Sequence, residues 1–400
     1  MSASSTPGSR TDQPSDALPV DRGRLFGLTW AHLLNDGASN YLPGVLPAVL
    51  TSLDQPVRMA GAFVAAMTIG QALQPATGWL ADRLGGRSLV VTGLLLSSVG
   101  GGLLGVAQST WMLVVLLLLI GTGSGFFHPQ ALAGVRSLLR GRQGLLTSVF
   151  LVGGEAGRGI WPTVTSFVVT QYGLHALWVV GVPGVLTVPL LLRAAPRLPS
   201  APKQSGRILW RRHARPLTLL VTYRSIQALA TYALVTFIPI MWHLRGGTLV
   251  GGASIITTLL LVGMAGNLSG GHLADLFGRT PVLVGSAAAT AALVVVVAYA
   301  GGIWLWLAAG LAGISIFLTS STCVLIGQDI FPENRSMGSG LALGFGNGIG
   351  AVLVLVIGLF VSDSGIVRVF WVIAALSVVS AVLVFAFPRR LLHHADAVSA

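Results

Sequence analysis

The sequence contains few charged residues and almost no cysteine. Charged side chains make up 9% of its 400 residues and hydrophobic ones 53%, whereas soluble domains carry about 25% charged residues. The single cysteine, Cys323, excludes an intramolecular disulfide and a cysteine metal cluster. A chain with so little charge must be solvated by lipid over most of its length, so we predict a membrane protein.

Several signatures of enzymes and nucleotide-binding proteins are absent. There is no His-Glu-x-x-His, no lysine in a phosphate-binding glycine loop and no Gly-x-Ser-x-Gly elbow. The net charge of +12 does not indicate a nucleic-acid partner, because the cations lie in short loops without a basic stripe or aromatic platform. We predict a protein that is not an enzyme, without cofactor, metal ion or nucleic acid, and powered by an ion gradient.

Long charge-free runs predict twelve spanning helices. Such a helix needs about 20 apolar residues, and the windows 59–81, 246–274 and 369–388 each hold no charged residue. We therefore expect an all-α fold of two six-helix halves. The predicted organisation is a disordered tail (1–22), an N-terminal half (23–193), a linker (194–215), a C-terminal half (216–388) and a second tail (389–400).

Lysine and arginine lie mostly on one side of the predicted membrane. Of the 24 such residues, 19 fall on the side that holds both termini, and only Arg58, Arg245 and Arg368 fall on the other. Cytoplasmic loops carry the excess of Lys and Arg. We therefore predict that both termini and the linker are cytoplasmic.

Two short segments are near-copies of each other. The run Gly-Trp-Leu-Ala-Asp-Arg-Leu-Gly from Gly78 returns as Gly-His-Leu-Ala-Asp-Leu-Phe-Gly from Gly271, an offset of 193 residues (271 − 78). Parallel repeats of this kind build alternating-access carriers. The charges in each copy can latch the cytoplasmic face in one state and separate in the other, although a tight turn with solvated charges is the alternative. The predicted gating residues are Gly78, Asp82, Arg83, Gly85 and Arg87, and Gly271, Asp275, Gly278 and Arg279.

This repeated loop in a twelve-helix chain resembles the major facilitator superfamily. Three further stretches resemble one branch of it, the bacterial fosmidomycin-resistance efflux proteins: His-Leu-Leu-Asn-Asp from His32, residues 121–129, and residues 141–154. The second half is less similar and matches around 328–332 and 344–350. The resemblance implies a multi-pass protein that exports small molecules across the inner membrane in exchange for protons.

His32 and Asp36 are four residues apart and share one face of the first predicted helix, residues 24–53. Asp36 lies about 18 Å along that helix from Arg24, near the middle of the bilayer. An ionisable group at that depth is by default a functional hypothesis, so we predict that Asp36 and His32 handle the proton. The alternative is a buried pair that fixes helix packing.

The region between His128 and Arg158 supplies further candidates. His128 precedes Pro129, and together with Asn35 it is predicted to orient the substrate, the alternative being a packing residue. Glu155 and Arg158 are three apart on one helix, either as a self-neutralising pair or as groups for the proton and the substrate respectively. The resembling family has uncharged residues at both places, so this pair is particular to the present chain.

Arg224 is the candidate cation of the C-terminal half. Its planar guanidinium suits a carboxylate, phosphate or phosphonate group, and Gln227 and Gln328 are further candidate substrate ligands. Alternatively, Arg224 extends to the cytoplasmic interface.

We thus expect a monomeric, proton-coupled antiporter that exports a small organic compound, with an anionic or phosphonate-like compound as one possibility. A proton symporter that imports an anionic nutrient is the nearer alternative. A membrane enzyme or a receptor that does not transport is the more distant one.

Overall fold

The computed structural model describes residues 21–71, 86–138, 143–195, 210–332, 338, 340–362 and 365–392. Within these ranges every secondary-structure element is helical, which confirms the expected all-α fold. In the N-terminal half the α-helices are α1 (Arg22–Asn40), α2 (Leu42–Ser52), α3 (Met59–Gln71), α4 (Gly86–Leu103), α5 (Thr110–Leu138), α6 (Gln143–Tyr172) and α7 (Trp178–Ala194). In the C-terminal half they are α8 (Trp210–Leu244), α9 (Leu249–Phe277), α10 (Arg279–Tyr299), α11 (Ile303–Phe317), α12 (Ser320–Ile330), α13 (Gly346–Gly358), α14 (Ile366–Leu383) and α15 (Arg389–Leu392).

The described helices are suited to a lipid environment. Eight described segments are long and apolar enough to cross a membrane, and α3 and α13 are shorter apolar helices. Residues 72–85, which follow α3, lie outside the described ranges. The outward faces carry large apolar side chains such as Trp111 and Phe360, which are 80% and 84% exposed. The count of twelve spans and the cytoplasmic termini remain predictions.

The first predicted helix is divided in two at Tyr41. Pro43 lies in the first turn of α2 and has no N–H to continue the hydrogen-bond ladder of α1. The Tyr41 hydroxyl donates to the carbonyl oxygen of Gly101 in α4, which holds the break against a neighbouring helix. The sequence analysis treated residues 24–53 as one helix, because the apolar pattern continues through the proline.

Glycines bring α6 very close to α1. A Cβ at Gly157 would lie 2.0 Å from the carbonyl oxygen of Leu33, and one at Gly154 would lie 2.3 Å from Nε2 of His32. Real Cβ atoms do not approach so closely, so any larger residue here would push the helices apart. This packing places α6 directly beside the His32 side chain.

The 193-residue offset recurs in helix packing. Gly70 of α3 packs against the backbone of Gly121 in α5, and Gly263 of α9 packs against Gly313 and Phe317 of α11. Gly70 and Gly263 are themselves 193 residues apart (263 − 70). The two halves therefore use a glycine at the same place in the repeat to pack a corresponding pair of helices.

The two halves meet through α2, α3 and α6 on one side and α8, α9 and α13 on the other. Thr257 of α9 donates to the carbonyl oxygen of Gly159 at 2.6 Å, and its Oγ1 lies 2.7 Å from Oγ1 of Thr163. A Cβ on Gly61 would lie 2.6 Å from the carbonyl oxygen of Val354. Thr257 lies about 27 Å along α9 from Asp275, so these contacts are at the end of the bundle away from the repeated loop.

Candidate functional site

Three ionisable side chains converge between α1 and α5. His128 Nε2 lies 3.0 Å from Oδ1 of Asp36, and His32 Nε2 lies 3.5 Å from Oδ2. The two Nε2 atoms are 3.3 Å apart. Asp36 is only 4% exposed, so its carboxylate depends on these imidazoles and not on bulk water. The structure thus joins two predicted proton-handling residues to His128, which the sequence analysis had assigned to the substrate.

Backbone carbonyls fix the orientation of both imidazole rings. His32 Nδ1 donates to the carbonyl oxygen of Phe150 at 2.8 Å, and His128 Nδ1 donates to that of Ser124 at 2.8 Å. In a neutral imidazole one nitrogen carries the hydrogen and the other is an acceptor. Both Nε2 atoms of the neutral rings therefore present lone pairs towards a carboxylate that also presents lone pairs.

Aromatic packing holds His32 rigidly in this position. The ring of Phe150 stacks on it with centroids 4.2 Å apart and an interplanar angle of 20°, and Phe127 lies on it at 5.8 Å. Gly154 closes the remaining side. His32 is 3% exposed, whereas the side chain of His128 is 27% exposed. Access to the cluster from outside therefore runs past His128.

Asn35 connects the cluster to α4. Its side-chain nitrogen donates to Asp36 Oδ1 at 3.2 Å, and its side-chain oxygen accepts from the Ser97 hydroxyl at 2.9 Å. Asn35 is fully buried. In this conformation Asn35 orients the carboxylate of Asp36. It has no exposed atom that could contact a substrate, and its predicted substrate role stays a prediction.

Glu155 and Arg158 form an ion pair one turn apart on α6. Arg158 donates to Glu155 at 2.7 Å, and the two side chains are 32% and 25% exposed. Arg158 is also within electrostatic range of Asp36 on α1 and of Tyr232 on α8. The self-neutralising pair of the sequence analysis is present, on a helix that packs against α1 of the same half and α9 of the other half.

Arg224 is buried and has no carboxylate partner among the described residues. It is 7% exposed, and its Nε has no hydrogen-bond partner. A Cβ on Gly346 would lie 2.6 Å from its Cβ, and Tyr232 is within electrostatic range of both Arg224 and Arg158. This position does not favour the alternative in which Arg224 extends to the interface. A buried arginine is stabilised by an anion, by backbone carbonyls or by water in a cavity.

The two predicted glutamine ligands have different surroundings. Gln227 is 1% exposed and donates to the hydroxyl oxygens of Tyr223 and Ser286 at 3.3 and 3.4 Å. It belongs to an uncharged network inside the C-terminal half. Gln328 is partly exposed on α12, next to Asp329.

The first copy of the repeated loop lies mostly outside the described residues. Gly78, Asp82, Arg83 and Gly85 belong to this range, so their predicted gating roles stay predictions. Arg87 is half-buried at the start of α4.

The second copy lies at the junction of α9 and α10. Gly278 has a φ of +86° and ends α9, a conformation that favours glycine. Gly271 is half-buried and Asp275 is exposed, both on α9. Arg279 donates to Asp329 of α12 at 2.6 Å and to the carbonyl oxygen of Leu391 in α15 at 2.8 Å. The arginine of this copy thus ties α10 to the end of α12 and to the C-terminal helix.

Sequence reasoning did not find Tyr232, Phe150 or Ser97 as parts of the site. Phe150 and Ser97 contribute a carbonyl and a hydroxyl from other helices, and no spacing in the sequence connects them to His32 or Asn35. Tyr232 follows Arg224 by eight residues on α8. This spacing places them roughly on one side of a helix, a signal that was available.

The sequence matches the Major Facilitator Superfamily over residues 28–343. This chain belongs to that superfamily. It is 27% identical over 377 residues to the uncharacterized MFS-type transporter YfnC of Bacillus subtilis, covering 89% of this chain and 90% of the relative. It is 24% identical over 375 residues to the fosmidomycin resistance protein of Escherichia coli, covering 91% and 92% respectively. The resemblance stated from the sequence is confirmed.

Solved structures show the same fold. The nucleoside transporter NupG superposes with a TM-score of 0.75 at 15% identity, covering 91% of this chain and 98% of NupG. A bacterial homolog of the human lysosomal transporter Spinster, in an inward-facing and occupied conformation, superposes with a TM-score of 0.76 at 15% identity, covering 94% and 99%. The chain is a membrane-spanning transporter of this superfamily and not an enzyme.

Proposed function

We propose that this transporter exports a small organic compound in exchange for protons, by alternating access between its two halves in the inner membrane. The observation that carries the proposal is the convergence of His32, Asp36 and His128. Without an added proton, two imidazole lone pairs and a carboxylate face each other in a buried site. One proton on His128 Nε2 replaces the repulsion between that nitrogen and Asp36 by a hydrogen bond at 3.0 Å, so the cluster is suited to bind and release a proton.

The proton enters and leaves past His128, the exposed member of the cluster. His128 Nε2 is 3.0 Å from Asp36, within reach for direct proton transfer. His32 is held rigidly by Phe150 and acts as the fixed partner of the carboxylate. Glu155 is the second carboxylate of the site, and protonating it would release Arg158 from their ion pair.

The substrate binds between Arg158 and Arg224. Arg224 is a buried cation without a carboxylate partner among the described residues, and Tyr232 is within electrostatic range of both Arg224 and Arg158 of the other half. Both guanidinium groups suit planar anionic groups such as carboxylate or phosphonate. We assign the substrate to small organic anions, recognised from both halves at once.

The cytoplasmic gate is formed by the repeated loops. In the second copy, the bonds from Arg279 to Asp329 and to the carbonyl oxygen of Leu391 hold the ends of α10, α12 and α15 together. We assign these bonds to the conformation of the present structure. In this conformation Thr257 joins the two halves through Gly159 and Thr163, at the opposite end of the bundle. The first copy is expected to act in the same way. In this proposal both termini are cytoplasmic, and the protein works as a monomer among membrane lipids.

Transport by purified protein in liposomes, with and without an imposed pH gradient, tests this function. We expect organic anions to move against their gradient when protons flow in the opposite direction. Asp36→Asn should abolish the response to the pH gradient and leave substrate binding measurable. Asp54→Asn changes an exposed carboxylate in a loop and serves as the control. Full coupled transport by Asp36→Asn would remove Asp36 from the mechanism.

The second candidate is a symporter that imports an anionic nutrient. The unpaired Arg224 favours an anion in either direction of transport. Accumulation of the anion on the same side as the entering protons would establish import and exclude export by exchange.

A further inference from the structure

The three atoms of the proton cluster also have the spacing of metal ligands. His32 Nε2, His128 Nε2 and one oxygen of Asp36 lie within 4.8 Å of one another. The two Nε2 atoms are 3.3 Å apart, His128 Nε2 is 3.0 Å from Oδ1 of Asp36, and His32 Nε2 is 3.5 Å from Oδ2. Zinc is bound tetrahedrally at about 2.0–2.1 Å, which puts neighbouring ligand atoms roughly 3.3 Å apart. A single ion can therefore reach all three atoms with little movement of the side chains.

The surroundings of the two imidazoles are those of metal-binding histidines. Each Nδ1 donates to a backbone carbonyl, that of Phe150 for His32 and that of Ser124 for His128. Such a bond fixes the tautomer, directs the Nε2 lone pair to the ion and raises the basicity of the ligand. Asn35 holds Asp36 in the same way. The ligand atoms are thus oriented in advance by groups that do not bind the ion.

We propose that His32, Asp36 and His128 bind a divalent transition-metal ion, with zinc as the best fit, and that this ion inhibits transport. Two imidazoles and one carboxylate suit zinc, nickel or copper and do not suit magnesium or calcium, which prefer oxygen ligands. Three protein ligands leave the fourth tetrahedral position for a water molecule.

The charges around the cluster permit a bound cation. Asp36 supplies one negative charge, and the nearby Arg158 is paired with Glu155. The 27% exposed side chain of His128 gives the ion its access. Because the ion and the transported proton use the same lone pairs, one excludes the other. Inhibition therefore rests on the proposed function, whereas binding of the ion does not.

Zinc titration of the purified protein by calorimetry tests the binding. His393 and His394 lie outside the described residues and are adjacent histidines, so His393→Ser and His394→Ser form the background of every variant. We expect one zinc ion per chain. Asp36→Asn or His128→Gln should weaken binding by more than the roughly 10- to 100-fold that loss of an orienting partner costs. His243→Gln removes an exposed histidine outside the cluster and should change nothing.

Two further measurements distinguish the loss of a metal ligand from misfolding of a variant. X-ray absorption of the zinc-loaded protein should show two imidazole ligands. His128→Cys should bind again and should prefer cadmium, since a thiolate is the softer ligand. Equal binding by the background protein and its His128→Gln variant would overturn the metal site.

The outcomes also separate this proposal from the proposed function. If zinc does not bind while Asp36→Asn still abolishes proton coupling, the metal site fails and the proton site stands. If zinc binds through the cluster while transport ignores the pH gradient, the metal site stands and proton exchange fails. Zinc bound through the cluster without any inhibition of coupled transport would overturn the inhibitory role.

Discussion

The two halves of this transporter share their helix packing and differ in their charges. Applying the 193-residue offset to His32, Asp36 and His128 gives Ser225, Leu229 and Ser321. Leu229 is fully buried in the apolar core, where its counterpart is a carboxylate. The packing glycines Gly70 and Gly263, in contrast, are retained at the same offset.

The interior of the C-terminal half carries an uncharged network instead. Gln227 donates to Ser286, whose hydroxyl donates to the carbonyl oxygen of Ser315, and the Ser315 and Thr290 hydroxyls lie 2.9 Å apart. Arg224 stands apart from this network. The difference teaches that a duplicated bundle can keep its architecture in both copies and place a buried His–Asp–His cluster in only one of them.

The largest expected effect comes from placing a carboxylate at Leu229, the position of the C-terminal half that corresponds to Asp36. Leu229→Asp would bury a carboxylate without imidazole partners, whereas Asp36 has two. An uncompensated buried charge costs about 3–5 kcal/mol, so we expect loss of folded protein or a strongly lowered unfolding temperature in detergent. Leu229→Met is the control and should fold normally. Near-normal stability of Leu229→Asp would mean that the interior of the C-terminal half already contains a partner for a carboxylate at this position.

The next effect concerns Arg224, the buried cation of the C-terminal half that has no carboxylate partner among the described residues. Arg224→Gln should weaken the binding of organic anions at least about tenfold, which corresponds to about 1.4 kcal/mol, because it removes the charge that lacks a protein partner. Binding of a neutral ester of the same compound should not change. Arg58→Gln, at an exposed position, is the control. An equal loss for anion and ester would assign Arg224 to structure.

A smaller effect is expected at the end of the bundle that holds the second copy of the repeated loop. Asp329→Asn removes the carboxylate that accepts from Arg279 at 2.6 Å and leaves the bond to Leu391 in place. We expect a change in the rate of transport with unchanged substrate affinity, since the pair holds a conformation and does not touch the substrate. Rates and affinities measured side by side in liposomes check this. A change in affinity alone would contradict the gating role.

The smallest effect is expected where the halves meet. Thr257→Val removes a bond to the carbonyl oxygen of Gly159 and the contact with Thr163. A hydrogen bond contributes about 0.5–1.5 kcal/mol, so the population should shift several-fold towards the state in which this end is open. Distances between spin labels on the two halves would report it. Thr258→Val removes only a bond within α9, to Ser254, and should leave the populations unchanged.

The sequence predicted the fold and part of the site. Charge-free runs predicted the helical membrane protein, and the spacing of His32 and Asp36 placed them on one face. The proximity of His128 was beyond reach, because it depends on how α1 and α5 pack across 92 residues (128 − 36). The tautomers of both imidazoles depend on the carbonyls of Phe150 and Ser124. Every residue has a backbone carbonyl, so residue types do not indicate which carbonyl accepts from a given imidazole.

Other differences have equally local causes. The break at Tyr41 was signalled by Pro43, yet the apolar pattern on both sides outweighed it. Arg279 was predicted within a loop latch, whereas its acceptor Asp329 lies 50 residues away on α12. Such pairs form between the ends of different helices, and the periodicity of the sequence does not indicate which helix ends lie close together.

The His32–Asp36–His128 cluster draws its partners from α1, α4, α5 and α6, all within the N-terminal half. In the proposed alternating-access cycle the cluster moves with the N-terminal half, and protonating or deprotonating it does not by itself break a contact between the halves. Arg158 is on α6, which packs against α1 of the same half and against α9 of the other half, and it is within electrostatic range of Asp36 and Tyr232. We therefore expect a change of charge at the cluster to act on the opposite half through this arginine.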